Sequence, residues 1–337
     1  MNAELRDRIN DLLHTAGFSS PSSISPCAVG GNNRLYRVET PEGIFAAKEY
    51  FRHRNDSRDR LGAEFAFLSY ASEAAPGFTP KPYACSKESG MALYEFIEGK
   101  PFHPGDIGRK EVDMAIRFFR ALNAPEFREK ADLPLASEAV FSISDHLSLV
   151  SGRIGKLLGI SADSEVDAAA LAFCAQMKET WEEITEGMPT GQDLPLPMEM
   201  RCISPSDFGF HNAIRENSDA IRFIDFEYAG WDDPGKTAGD FFSQIAVPVP
   251  FEYHEHFVAE CMSMFPGSEQ LGERARMLRP VYQMKWCCIA LNVFLKVNLD
   301  RRKFADSGTD EQALKSIQLG KAKKIFQSIQ KTSYGLH

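Results

Sequence analysis

The spacing of apolar residues changes period several times along the chain, and each change marks an element. Met1 to Leu13 is charged and repeats helically, and Gly17 ends an amphipathic helix over residues 1 to 17. Ser19 to Pro26 follows as a Ser/Pro-rich connector. Two strands are then predicted, one running to Val38 and one over Ile44 to Phe51, joined by the turn signal Pro41-Glu42-Gly43. Alternation puts Lys48 on the same strand face as Ile44 and Ala46. Arg60 to Ala71 reads as a helix with Leu61, Phe65 and Leu68 as its buried stripe and Glu64 on the flank. Pro76 to Pro82 stops that helix, and Tyr83 to Ser86 and Met91 to Phe96 read as strands around Glu88-Ser89-Gly90.

Beyond Phe102 the period becomes helical over Ile107 to Leu122, Asp145 to Leu158 and Ser164 to Glu186, until the linker Pro189 to Pro197. A tight hairpin is predicted over Ala213 to Ile224, turning at Glu216 to Asp219. Asp240 to Thr332 is mostly helical, with Val281 to Leu299 its most apolar segment. An antiparallel sheet with one helix followed by a larger helical region is an α+β pattern.

A chain of 337 residues exceeds what one hydrophobic core usually serves, so two packed lobes are expected. The net charge of −9 argues against nonspecific nucleic-acid binding, which needs a basic footprint; an acidic surface would help attract a cationic substrate, but acidic soluble proteins are common. Seven cysteines without a C-x-x-C pair signal neither a disulfide framework nor a zinc site and suit a reducing compartment. The charged N-terminus lacks a signal-peptide core, and no stretch approaches the roughly 20 apolar residues that span a bilayer. A cytoplasmic protein with no membrane partner is expected.

The candidate chemistry lies in Ser204 to Asn212 and Ile224 to Glu227. Asp207, Asn212 five positions on, and Asp225 after the hairpin have the spacing of a phosphoryl-transfer centre. That reaction needs a carboxylate to orient and deprotonate a hydroxyl, here Asp207, and oxygen ligands for Mg²⁺, here Asn212 and Asp225. Lys48, paired with Glu64, is placed to neutralise phosphate charge. Gly30, Gly31, Asn32 and Asn33 form a turn-rich loop before the first of those strands, shorter in glycine than a full G-x-G-x-x-G but able to approach phosphates. Glu227, Trp231, Asp232 and Asp233 are expected at the mouth of an acceptor site, where carboxylates and an indole face suit a cation; Asp232 or Asp233 before Pro234 equally reads as a helix cap.

Together with Leu93 to Gly99, these segments resemble the aminoglycoside phosphotransferase and choline kinase-like family over roughly residues 27 to 300. The resemblance implies a bilobal protein-kinase-like fold and ATP- and Mg²⁺-dependent phosphorylation of a small-molecule hydroxyl. It divides the chain into a leading helix and connector (1–26), a nucleotide-binding lobe (27–98) and a helical lobe with the catalytic loop and acceptor site (99–337). It also implies that backbone groups near Glu95 and Ile97 meet the adenine edge, and that Asp240 bonds the catalytic-loop backbone. The family's usual His two residues before and two after the catalytic Asp are Pro205 and Gly209 here. Support for the loop is therefore expected from Ser204, Ser206 or His211. A nucleotide-binding pseudokinase is the alternative that this departure suggests. A protein kinase is disfavoured by the short run between Asp225 and Asp240, which has no Ala-Pro-Glu segment.

Overall fold

A computed structural model of the chain describes residues 3–27, 33–51, 58–189, 193–296 and 310–333. Helix α1 (Ala3–Thr15) leads into strands β1 (Ser23–Pro26), β2 (Arg34–Thr40) and β3 (Gly43–Glu49). Helix α2 (Arg60–Ala74) precedes β4 (Pro82–Ser86), β5 (Met91–Glu95) and β6 (Lys100–Pro101). Four helices follow: α3 (Arg109–Leu122), α4 (Pro125–Arg128), α5 (Ile143–Leu157) and α6 (Glu165–Glu186). Strands β7 (Cys202–Ser204), β8 (Ala213–Arg215), β9 (Ile221–Phe223) and β10 (Gly230–Asp232) lead to α7 (Pro234–Ser243), α8 (His254–Met262), α9 (Ser268–Leu291) and α10 (Glu311–Ser333). The fold is α+β, and among the described residues no helix is long and apolar enough to cross a membrane.

Packing divides the chain into two compact units. One contains Met1–Phe102, Arg117–Ser137 and Pro205–Gly230, and the other His103–Ile116, Glu138–Ser204 and Trp231–His337. The first is built on a five-stranded sheet in the order β1-β2-β3-β5-β4, antiparallel throughout. Ile9, Leu12 and Leu13 of α1 cover one face against Val38, Phe45, Ala47 and Leu93. Gly17, at φ +81°, ends α1 where a residue with a Cβ would be strained. Ser23–Pro26 is an edge strand paired with Tyr36 to Glu39 and not merely the predicted connector, which an edge permits because Pro there need donate no ladder bond.

The α2 stripe also differs from the prediction. Its buried residues are Arg60, Leu61, Glu64, Phe67, Leu68, Ala71 and Ala74, whereas Phe65 is only half-buried. Glu64 lies in the buried stripe because Lys48 and Tyr50 meet it there, so charge pairing overrides the simple apolar period.

The functional division expected at residue 98 is not a division of packing. Pro205–Gly230 folds with the first 102 residues because β8 pairs with β6, and because β9 carries Phe223 into an aromatic cluster. Phe223 stacks on Phe118 at 4.8 Å between ring centroids, Phe118 stacks on Phe78 at 5.5 Å, and Phe226 stacks on Phe67 at 4.6 Å. The Phe223 amide also donates to the Phe78 carbonyl at 2.8 Å. Each aromatic pair adds about 0.5–1.5 kcal/mol beyond area burial.

The second unit has a helical core in which α5 and α6 pack with α9 and α10 through Val150, Ile154, Phe173, Met177, Tyr282 and Phe326. Helices α5, α6 and α7 start on side-chain caps, of which the sequence pointed only to Asp232 or Asp233. Ser142, Ser164 and Asp233 each accept a backbone N–H bond as N-cap, and Pro234 follows Asp233 at the first helical position.

Gly230 closes the segment Pro205–Gly230 at φ +156°, and a Cβ there would lie 2.2 Å from the Pro134 carbonyl oxygen. Backbone on that side cannot yield. Gly230→Ala is therefore expected to destabilise the protein by about 2–4 kcal/mol, read as a lower midpoint in denaturant unfolding; a midpoint within error of the wild type would contradict this close approach.

Candidate active site

Lys48 points from β3 as the alternation predicts, and its surroundings explain why a lysine is tolerated with only 8% of its surface exposed. Its Nζ donates to Glu64 Oε2 at 2.7 Å and to Asp225 Oδ1 at 2.6 Å. Burial works against the ammonium, but the Asp225, Glu64 and Glu227 carboxylates outweigh it and hold its pKa above the ordinary lysine value. Burial pushes the Glu64 carboxyl up, against the pull of Lys48. Tyr50 donates to Glu64 Oε2 at 2.6 Å and pairs with Tyr94 across 2.7 Å between hydroxyl oxygens. The other Glu64 oxygen accepts the Phe226 amide at 3.1 Å, so one carboxylate grips both the lysine and the segment that carries Asp225.

A second cluster surrounds Asp207. Asn212 Nδ2 donates to the Asp207 carbonyl at 3.0 Å and to its Oδ2 at 3.2 Å, while His211 Nε2 lies 3.1 Å from Oδ1. Of the residues expected to support the loop in place of the two histidines, His211 reaches the carboxylate itself, and Ser204 instead accepts from Thr237 at 2.9 Å. Ser206 provides a bend at φ +64°. The two clusters are joined through the hairpin base, where the Ile224 amide donates to the Asn212 carbonyl at 2.9 Å next to the β8–β9 pair Ala213 and Phe223. Asn212 and Asp225 thus lie at adjoining strand ends, as the hairpin reading requires. Asp225 has φ +66°, a left-handed conformation that a non-glycine residue holds only when its surroundings over-determine it.

The other expected site residues have partners of their own. Asn33 holds Glu227 Oε2 at 2.8 Å and accepts the Phe51 amide at 3.2 Å. Glu227, only 4% exposed, accepts Arg60 Nη1 at 2.8 Å through its other oxygen. Glu95 pairs with Arg222 at 2.6 Å and donates its amide to the Lys81 carbonyl, and Ile97 is buried. Trp231, Asp232 and Asp233 are buried, the two acids completely. Asp232 pairs with Lys236 at 2.5 Å; Asp233 caps α7 and binds Arg274 at 2.7 Å and His146 at 3.1 Å. The Asp240 carboxylate accepts from Lys285 at 3.0 Å and from the Trp286 indole at 2.8 Å. Gly30, Gly31 and Asn32 lie outside the described residues. Tyr50, Tyr94 and Arg60 were missed by sequence reasoning. Only Arg60 left a signal, four positions before Glu64 on the same helical stripe.

Among the described residues no three His, Cys, Asp or Glu gather as a metal site. The set present is a carboxylate from Asp225 and the carboxamide oxygen of Asn212, whose nitrogen faces Asp207. Hard oxygen donors, few in number, fit Mg²⁺, which keeps several waters and phosphate oxygens in its shell.

An antiparallel sheet whose lysine is paired with a helical glutamate and a strand-end aspartate, in one packing unit with the Asp207–Asn212 pair, fits a protein-kinase-like fold. The chain belongs to the phosphotransferase enzyme family, whose model matches residues 23–260. Among solved structures it is similar to a choline/ethanolamine kinase family protein from Mesorhizobium loti, at 14% identity over 96% of this chain and 93% of that one, with a TM-score of 0.59. It is also similar to the choline kinase LicA from Streptococcus pneumoniae, at 15% identity over 97% and 100% of the two chains and a TM-score of 0.56. A third likeness is to APH(2″)-IIa in a ternary complex with streptomycin and ATP, at 15% identity over 86% and 90%, with a TM-score of 0.57. No curated protein sequence matches the chain.

Because the folded pKa of Lys48 is raised, the stability it contributes is complete below the free-lysine value of 10.5 and declines as pH rises beyond it. Lys48→Met leaves Glu64 buried without its counter-charge and is expected to cost about 3–5 kcal/mol at neutral pH, whereas Lys48→Met combined with Glu64→Gln costs less. Urea unfolding at neutral and alkaline pH checks both statements; equal losses in the single and double variants would contradict the pairing.

Proposed function

We propose that the protein is an ATP- and Mg²⁺-dependent kinase that phosphorylates a hydroxyl of a small molecule. The observation that carries this reading is the contact of Lys48 with both Glu64 and Asp225 in the same packing unit as the Asp207–Asn212 pair. The solved complex containing ATP supports the nucleotide, and the choline kinases and the streptomycin complex support a small, nitrogen-bearing acceptor such as an amino alcohol or aminoglycoside. The acidic net charge favours a cationic acceptor by steering.

In this mechanism Asp207 orients the acceptor hydroxyl and takes its proton as the oxygen bonds to the terminal phosphorus, and the bond from that phosphorus to the bridging oxygen breaks. His211 and Asn212 hold one Asp207 oxygen each, which fixes the carboxylate plane. Lys48, braced by Glu64, neutralises phosphate charge. Asn212 and Asp225 would hold Mg²⁺, which when bound screens the phosphates and fixes their orientation. The nucleotide lobe is assigned to residues 27–98, with the backbone near Glu95 and Ile97 at the adenine edge, and residues 99–337 complete the acceptor side. We place the enzyme in the cytoplasm, in keeping with its seven cysteines, which form no disulfide.

Pro205 and Gly209 favour a second reading, a nucleotide-binding pseudokinase, since both usual histidines are absent. The imidazole of His211 on Asp207 weighs against it.

Asp207→Asn is expected to lower turnover by about 10²–10⁴ with nucleotide affinity nearly kept, and Asp225→Ala to abolish Mg²⁺-dependent nucleotide binding. Nucleotide consumption screened against amino alcohols, sugars and aminoglycosides provides the assay. Equal turnover in wild type and Asp207→Asn would remove the assignment of the base. A thermal shift with Mg-ATP but no turnover on any acceptor would favour the pseudokinase.

A further inference from the structure

Three elements each supply one member of the ion cluster around the buried Lys48. The β2–β3 hairpin carries Lys48, α2 carries Glu64, and the turn after β9 carries Asp225. Glu227 touches all three, directly or through one residue. It lies two positions after Asp225, its Oε1 accepts from Arg60 Nη1 at 2.8 Å, and its Oε2 accepts from Asn33 Nδ2 at 2.8 Å. Arg60 opens α2, one turn before Glu64, and also donates to the Tyr228 hydroxyl at 3.0 Å. Asn33 lies at the open end of the hairpin, just before β2, and its Oδ1 accepts the amide of Phe51, just after β3. One carboxylate therefore ties the mouth of the hairpin and the start of the helix to the Asp225 segment.

A carboxylate placed to recognise an acceptor keeps an oxygen for it. Both Glu227 oxygens are engaged internally, and the residue is 4% exposed. Losing either bond would free one element to shift relative to Asp225, and a displacement of even about 1 Å in a catalytic group is costly.

We propose that Glu227 is a positioning residue of the nucleotide site, not an acceptor ligand: with Asn33 and Arg60 it sets the register in which Lys48, Glu64 and Asp225 converge. The assignment rests on the phosphotransfer reading of those three residues. It separates Glu227 from the acceptor and makes Asn33 a brace for the hairpin instead of a phosphate ligand.

The test is binding of a fluorescent, non-hydrolysable ATP analogue with Mg²⁺ to wild type, Asn33→Ala, Glu227→Gln and the double variant, with melting temperatures recorded without nucleotide. Asn33→Ala is expected to weaken analogue binding about tenfold, the scale of one hydrogen bond to a charged group. Glu227→Gln, which keeps an oxygen and gains an amide at the same position, should weaken it less. The double variant should be no worse than Asn33→Ala, because both changes cut one bond. Should Asn33→Ala not fold, Asn33→Asp keeps the side-chain size, sets a like charge against Glu227 and is expected to weaken binding at least as much. Analogue affinities within twofold of wild type in all variants would overturn the proposal, as would a raised acceptor KM in Glu227→Gln at unchanged analogue affinity. A wild type that does not bind the analogue would instead remove the phosphotransfer reading, and this assignment with it.

Discussion

A lysine ammonium held away from water between two carboxylates is the constraint on which the proposed catalytic arrangement depends. An isolated buried charge is prohibitively costly, and removing one partner from a buried pair typically costs about 3–5 kcal/mol. Lys48 can remain charged only if Glu64 and Asp225 stay within hydrogen-bond reach. That requirement couples a sheet, a helix and a strand-end turn that are far apart in sequence. It also explains why α2 buries a glutamate and an arginine in a stripe that would otherwise be apolar, and why Tyr50 and Tyr94 form a polar chain behind Glu64. Each member satisfies the next, so the network is stabilising only when complete.

The second consequence concerns the backbone. Ser206 and Asp225 both adopt left-handed conformations without being glycine, one beside Asp207 and the other at the proposed metal ligand. Such conformations cost of order 1–3 kcal/mol each and persist where packing holds them. For Asp225 the holding comes from the stacked rings of Phe118, Phe223, Phe67 and Phe226 on either side of it and from the Glu64 bond to the Phe226 amide. Apolar packing thus compensates local strain at the Asp225 segment.

The carboxylates after Glu227 serve a different end. Asp232, Asp233 and Asp240 sit among Lys236, Arg274, His146 and Lys285 in the interior of the second unit. Asp233 keeps its pKa low despite burial, because the His146 hydrogen bond and the Arg274 charge favour the carboxylate. This is a satisfied polar core that fixes α7 against α5 and α9.

What could be read from the sequence was the local: strand and helix periods, the turns at Gly43 and at Glu216 to Asp219, the cap at Asp233, and the spacing of Asp207, Asn212 and Asp225. Those follow from backbone preferences and from residues close in the chain, which is why Lys48 was placed on the correct strand face. Only the tertiary structure decided which charges meet. That Glu227 turns to Asn33 and Arg60, that Asp240 takes Lys285 and Trp286, and that Pro205–Gly230 folds with the first 102 residues depend on partners far away in the chain. A carboxylate in a sequence carries no mark of whether water or a buried cation will satisfy it, because that is set by which surfaces are excluded from solvent once the chain is folded.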